Sequence, residues 1–177
     1  MSPIDLNETV LVHPTTNRCP IGEITGKRNI SQEKIPVLSC EGACIRGEIA
    51  RIAANIVSKG ELYGRGCHGE LITVPDSAIA RWIKSAGKVV LIDGCFLRCQ
   101  GRMLENLIDE RKLIQFDALS HHKRYSDIFD SDDVPEDERK AVAQSVAAWV
   151  LESLNTPSVQ KASSGDGSEG LCGSCHG

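Results

Sequence analysis

The stretch Lys88-Val89-Val90-Leu91-Ile92-Asp93-Gly94-Cys95-Phe96-Leu97-Arg98-Cys99 decides the fold. Its first half is a short apolar run, β-branched or Leu at its centre, bounded by Gly87 and Gly94. That pattern predicts a strand over Lys88–Asp93 buried on both faces, as strands are in parallel sheets. The run ends in a Cys-x-x-x-Cys, and an amphipathic pattern follows. Met103, Leu104, Leu107 and Ile108 recur at helical spacing and predict a helix over 99–111 with those four facing in. The same event occurs earlier in the chain. Ile35-Pro36-Val37-Leu38-Ser39 reads as a buried strand and leads into Cys40-Glu41-Gly42-Ala43-Cys44. A helix over 44–59 is then predicted from Ile45, Ile49, Ile52, Ala53 and Ile56 on one face, with Gly60 as its stop.

Between the two motifs, either Leu62–Cys67 or Leu71–Val74 is the intervening strand. Asp76–Ala86 reads as a short helix with Ile79, Trp82 and Ile83 inward. Beyond the second motif, Leu113–Phe116 is a further strand candidate. Asp130–Asp133 is an acidic turn, and Pro135 opens a long helix whose acidic first turn suits the helix dipole. Its apolar stripe is Val142, Val146, Trp149, Val150 and Leu154. Residues 1–35 read as an irregular N-terminal segment: Thr9–Val12 is a short strand candidate, and Pro20, Gly22 and Gly26 mark turns. Residues 36–156 form the α/β domain. Residues 157–177, rich in Ser and Gly, have the composition of a flexible linker and end in Cys172-Gly-Ser-Cys175-His176-Gly177.

Strands alternating with helices predict a three-layer αβα architecture on a mostly parallel sheet. In a flavodoxin- or Rossmann-like order, 2-1-3-4, the first and third strands are neighbours. The crevice at their carboxyl ends is then where a ligand binds. Cys40 and Cys44 follow the first strand, and Cys95 and Cys99 follow the third. Topology and cysteine placement therefore point to one spot.

Cysteines at i and i+4 face the same way on the first turn of a helix, where free amides and the dipole favour thiolate. Four thiolates suit tetrahedral zinc, and an iron–sulfur cluster is the alternative. A third use of the same groups is thiol redox or sulfur-transfer chemistry, in which one thiolate is the nucleophile. A closed four-sulfur site leaves no open position for a reaction, whereas a dithiol does.

Composition bounds these readings. The chain has 177 residues, eight cysteines and a formal charge of −4. Its acidic balance excludes a nucleic-acid binder, which needs a basic face. No basic-then-apolar leader opens the sequence, and no run approaches a membrane span. The expected location is the cytoplasm, where clustered thiols more often ligate metal or do redox work than form structural disulfides. The expected partner is a metal ion.

The segment from about 36 to 125 resembles the DGC-domain family, described as zinc-binding candidates. The resemblance rests on Asp93-Gly94-Cys95 after Val-Val-Leu-Ile, on Cys99, and on Leu-Ser-Cys40-Glu-Gly-Ala-Cys44 followed by Gly47. It implies that Cys40, Cys44, Cys95 and Cys99 are zinc ligands. It also favours placing Cys67 at the end of the second strand, near the same crevice. Cys67-His68 sits among glycines and is either a fifth site thiol or an ordinary loop residue. Asp93 either caps the following helix or supports a ligand from behind. Cys172 and Cys175 form a candidate dithiol able to visit the crevice and exchange metal or resolve a disulfide there. Cys19 reads as a lone free thiol, and His121-His122 as a solvated helix start or loop.

Overall fold

A computed structural model describes residues 11–156. The helices are α1 (Pro20–Ser31), α2 (Ile45–Val57), α3 (His68–Thr73), α4 (Ala78–Ser85), α5 (Cys99–Leu104), α6 (Ala118–His122) and α7 (Glu136–Asn155). The strands are β1 (Ile35–Ser39), β2 (Tyr63–Arg65), β3 (Val89–Asp93) and β4 (Leu113–Asp117). They form one four-stranded sheet in the order β2-β1-β3-β4, parallel throughout. The fold is a three-layer α/β sandwich in the anticipated order. β1 and β3 lie side by side, with Ser39 opposite Ile92.

Strand residues alternate between two cores, as the period-two pleat demands. Val37, Val90, Ile92 and Phe116 face one layer, made by α2, α6 and α7. Leu38, Val89 and Leu91 face the other, made by α3, α4 and α5. α2 buries Ile45, Ile49, Ala50, Ala53, Ala54 and Val57 completely. Its alanines let α7 approach through Ala143, Val146, Ala147 and Val150. Each Ile or Val buried this way contributes roughly 1.5–3 kcal/mol over its exposed state. α7 begins one residue later than its Pro predicts, with Pro135 as the capping residue.

Several expectations need correction. The N-terminal segment is not irregular throughout, because Pro20–Ser31 is helical. Gly22 and Gly26 are contact residues there rather than turn formers: a Cβ at Gly26 would lie 2.3 Å from the carbonyl carbon of Ala78. The two glycines, with Asn29, form the buried face, while Ile21 and Ile24 are exposed. α1 therefore packs through backbone proximity, which a search for an apolar stripe misses. Leu11 and Val12 carry no strand, and the rest of that candidate lies outside the described residues. β2 is only Tyr63–Arg65, while Leu71 lies in α3. α5 stops at Leu104 instead of 111. Leu104 and Ile108 reach the core, whereas Met103 and Leu107 remain exposed. The tail at 157–177, with Cys172 and Cys175, lies outside the described residues.

Candidate functional site

β1 delivers Cys40 to the carboxyl edge of the sheet. The ladder runs one residue past the strand, with the Cys40 amide donating to Ile92 O at 2.9 Å. The chain then turns so that the Gly42 N–H faces Cys40 Sγ at 3.4 Å. Cys44 is the N-cap of α2. On the neighbouring strand, β3 ends at Asp93, and Cys95–Arg98 makes a turn closed by Arg98 N–H to Cys95 O at 3.0 Å. Arg98 takes a left-handed conformation, φ 49°, just before α5. The i, i+4 helical spacing expected within each thiol pair is therefore not realised. Each pair spans a loop and meets a helix only at its second cysteine.

Glycines bring the two loops together. A Cβ at Gly94 would stand 2.8 Å from the carbonyl carbon and oxygen of Arg46 and 2.9 Å from the Gly47 amide nitrogen, while the bare Gly47 lets α2 start hard against Gly42 O of its own loop. The β1–α2 and β3–α5 connections thus touch backbone to backbone, a contact that glycine's missing side chain allows.

Asp93 is buried at 1% exposure. Its Oδ1 accepts the Gln100 amide N–H at 3.2 Å. The carboxylate therefore caps α5, since Arg98 offers no side-chain cap of its own. Burial pushes its pKa up, against the amides of Gln100 and Gly101, which favour the charge. Oδ2 is buried without a hydrogen-bond partner.

Cys40, Cys44, Cys95 and Cys99 all line one cavity of about 460 Å³, together with Leu97, Met103 and Phe129. Their environments differ. Burial raises the Cys40 thiol above its ordinary pKa, and the amides of Gly42 and Gly94 only partly offset it. Burial also opposes the Cys44 thiolate, but the Gly47 amide and the Arg46 side chain outweigh it, so Cys44 is lowered. This is the stabilisation that a helix N-terminus gives a thiolate. Cys40, Cys44 and Cys95 are partly buried, and Cys99 is exposed. Among the described residues, no three Cys, His, Asp or Glu side chains stand close enough together to hold an ion as they are placed.

Beside this cavity lies a cluster that sequence patterns did not reveal. Arg65 donates to Val37 O at 3.0 Å, Ser39 Oγ at 2.6 Å, Glu41 Oε1 at 2.6 Å and Asn55 Oδ1 at 3.0 Å. It pins the start of the Cys40 loop, because Glu41 is the residue after Cys40 and lines the cavity. His68 Nδ1 is 3.9 Å from Glu41 Oε1. Burial, with Arg65 nearby, lowers the His68 pKa to about 4 and keeps the ring neutral. Cys67 is the N-cap of α3 and is not among the described residues lining the cavity. Arg65 lies 26 residues from Ser39 and 24 from Glu41, a separation that carries no spacing signal, so only the pairing of β2 with β1 brings it to them.

The remaining candidates are structural. Cys19 caps α1, accepting the Gly22 N–H at 3.4 Å. His121 stacks on Trp149 at 4.8 Å, with its Nε2 3.1 Å from Ser145 Oγ.

The family model of the DGC domain matches residues 36–146, well over half the chain. The chain belongs to the DGC-domain family. Each residue of its Asp-Gly-Cys signature has a separate task. Asp93 caps α5, Gly94 admits the neighbouring loop, and Cys95 lines the cavity. No curated protein and no solved structure matches the chain. No helix among the described residues is long and apolar enough to cross a membrane.

Proposed function

We propose that the protein is a cytoplasmic metal-binding protein that holds zinc through Cys40, Cys44, Cys95 and Cys99. The observation that supports this reading is the meeting of all four thiols at one cavity, on loops from adjacent strands. Sulfur-only donors at a sheet edge suit a thiophilic divalent ion, and the α2 N-terminus would offset part of the thiolates' charge. Gathering the thiols around one ion calls for movement of these loops, since no three donors stand close enough as placed among the described residues. The bare backbone at Gly94 lets the two loops lie in direct contact, and Asp93 holds the start of α5. With four sulfurs engaged no coordination position stays open. The role would then be carriage, sensing or scaffolding rather than catalysis.

Protein purified anaerobically without a metal-chelating tag tests this through its metal content, acid-labile sulfide and absorption spectrum. About one zinc per chain, colourless, and lost in Cys95→Ala is the expected outcome for tetrahedral thiolate ligation. Iron with sulfide and a brown colour would replace zinc with a cluster.

One observation favours a second reading, thiol redox or sulfur transfer. Cys44 is shifted toward thiolate while Cys40 is shifted away from it, the asymmetry that separates an attacking thiol from its resolving partner. Metal-free protein in which Cys44 is alkylated well before Cys40, and in which the pair cycles with a dithiol reductant, would make this the better account.

A further inference from the structure

The cavity has an apolar collar. Phe96 is 69% exposed, Leu97 48%, Met103 50% and Phe129 67%, and Leu97, Met103 and Phe129 line the cavity directly. Large apolar groups gathered around a thiol site mark a surface that something covers. The chain carries a segment matched to it. From residue 160 onward Leu171 is the one large apolar residue, and it stands immediately before Cys172-Gly-Ser-Cys175-His176. An apolar anchor followed by three soft-metal donors matches a cavity lined by both large apolar side chains and thiols.

Length permits the encounter within one molecule. α7 starts beside the thiol edge, where Arg139 Nη1 meets Glu48 Oε2 of α2 at 3.1 Å. It ends at the opposite edge, where Leu154 and Asn155 border Ile35, Val90 and Ile114. Its 20 residues span about 30 Å. The sixteen residue-to-residue steps from Thr156 to Cys172 reach about 53 Å when extended, well beyond that distance.

We propose that residues 171–176 dock in the thiol cavity of their own chain, with Leu171 on the collar and Cys172, Cys175 and His176 beside the core thiols. Resting on the reading of this cavity as a metal site, the docked segment gives a bound ion a second set of donors and so a route in and out.

The test uses the full chain, reduced and stripped of metal with EDTA, then bridged with a short bis-maleimide and mapped by mass spectrometry. Bridges from Cys172 or Cys175 to Cys44, Cys95 or Cys99 are expected within one chain. Their yield should be independent of protein concentration and should fall several-fold in Leu171→Asp. Cys19, exposed and outside the cavity, is the comparator for random collision. Equal bridging to Cys19, no change in Leu171→Asp, or bridges that form only between chains and grow with concentration would overturn the proposal. Zinc affinity, measured by titrating zinc back into the same stripped protein before bridging, separates the two ideas. Specific bridging without zinc affinity removes the metal reading alone, and normal zinc affinity without bridging removes the docking alone.

Discussion

Gly94→Ala is the sharpest test of how the two thiol loops are held together. The new Cβ would lie 2.8 Å from both C and O of Arg46 and 2.9 Å from the Gly47 amide nitrogen. All three are backbone atoms, so no side-chain rotation relieves the clash. Restoring ordinary contact requires the loops to part by about 0.5–1 Å. Overpacking of this kind costs roughly 1–3 kcal/mol. At about 2–4 °C per kcal/mol for a chain of this size, Tm should fall by about 2–12 °C. Gly87→Ala is the internal control, since a Cβ there meets nothing within 4 Å. It should leave Tm unchanged or raise it by about 1–4 °C through the lost freedom of the unfolded chain. The assay is thermal unfolding followed by circular dichroism, with zinc competition against a chromophoric chelator alongside it. Zinc affinity should drop in Gly94→Ala and hold in Gly87→Ala. A Gly94→Ala protein that melts and binds zinc like Gly87→Ala would refute the claim that backbone contact sets the spacing of the loops.

Replacing Arg65 with Met strips partners from the buried Ser39 hydroxyl and from Glu41, and urea denaturation should show a loss of about 2–3 kcal/mol. Arg65→Lys should recover less than half, because a single ammonium cannot reproduce the fork; full recovery would contradict the network. His68 makes stability pH-dependent. Its folded pKa of about 4 lies below the unfolded value of 6.5, so between those pH values the unfolded chain holds a proton that the folded chain refuses. Stability therefore falls as pH drops from 6.5 toward 4, by up to roughly 3 kcal/mol, and His68→Asn should flatten that slope. An unchanged slope in urea titrations across this range would show that the imidazole is already solvated.

The alternation of elements, the parallel sheet and the two strand–thiol–helix junctions are legible in the chain alone. These are readable because each rests on local patterning: a buried strand is a short continuous apolar run, and α2 and α7 repeat at 3.6 residues. Asp93 as a helix cap was legible for the same reason, since its partner amide, Gln100, is close in sequence. Tertiary structure alone decided what depends on contact between distant segments. Gly22 and Gly26 look like turn residues until α4 is seen lying against them, because a missing side chain leaves no periodic mark. α5 ends early and exposes Met103, since only packing decides which of four apolar positions reaches the core. The grip of Arg65 on Ser39 and Glu41 follows from β2 lying beside β1, a pairing across sequence separation that no local pattern encodes. The meeting of the four thiols at one edge follows from the strand order that the chain's alternation implies, whereas the spacing of their loops rests on the bare backbone of Gly94 against Arg46 and Gly47, a contact between distant segments that leaves no local mark.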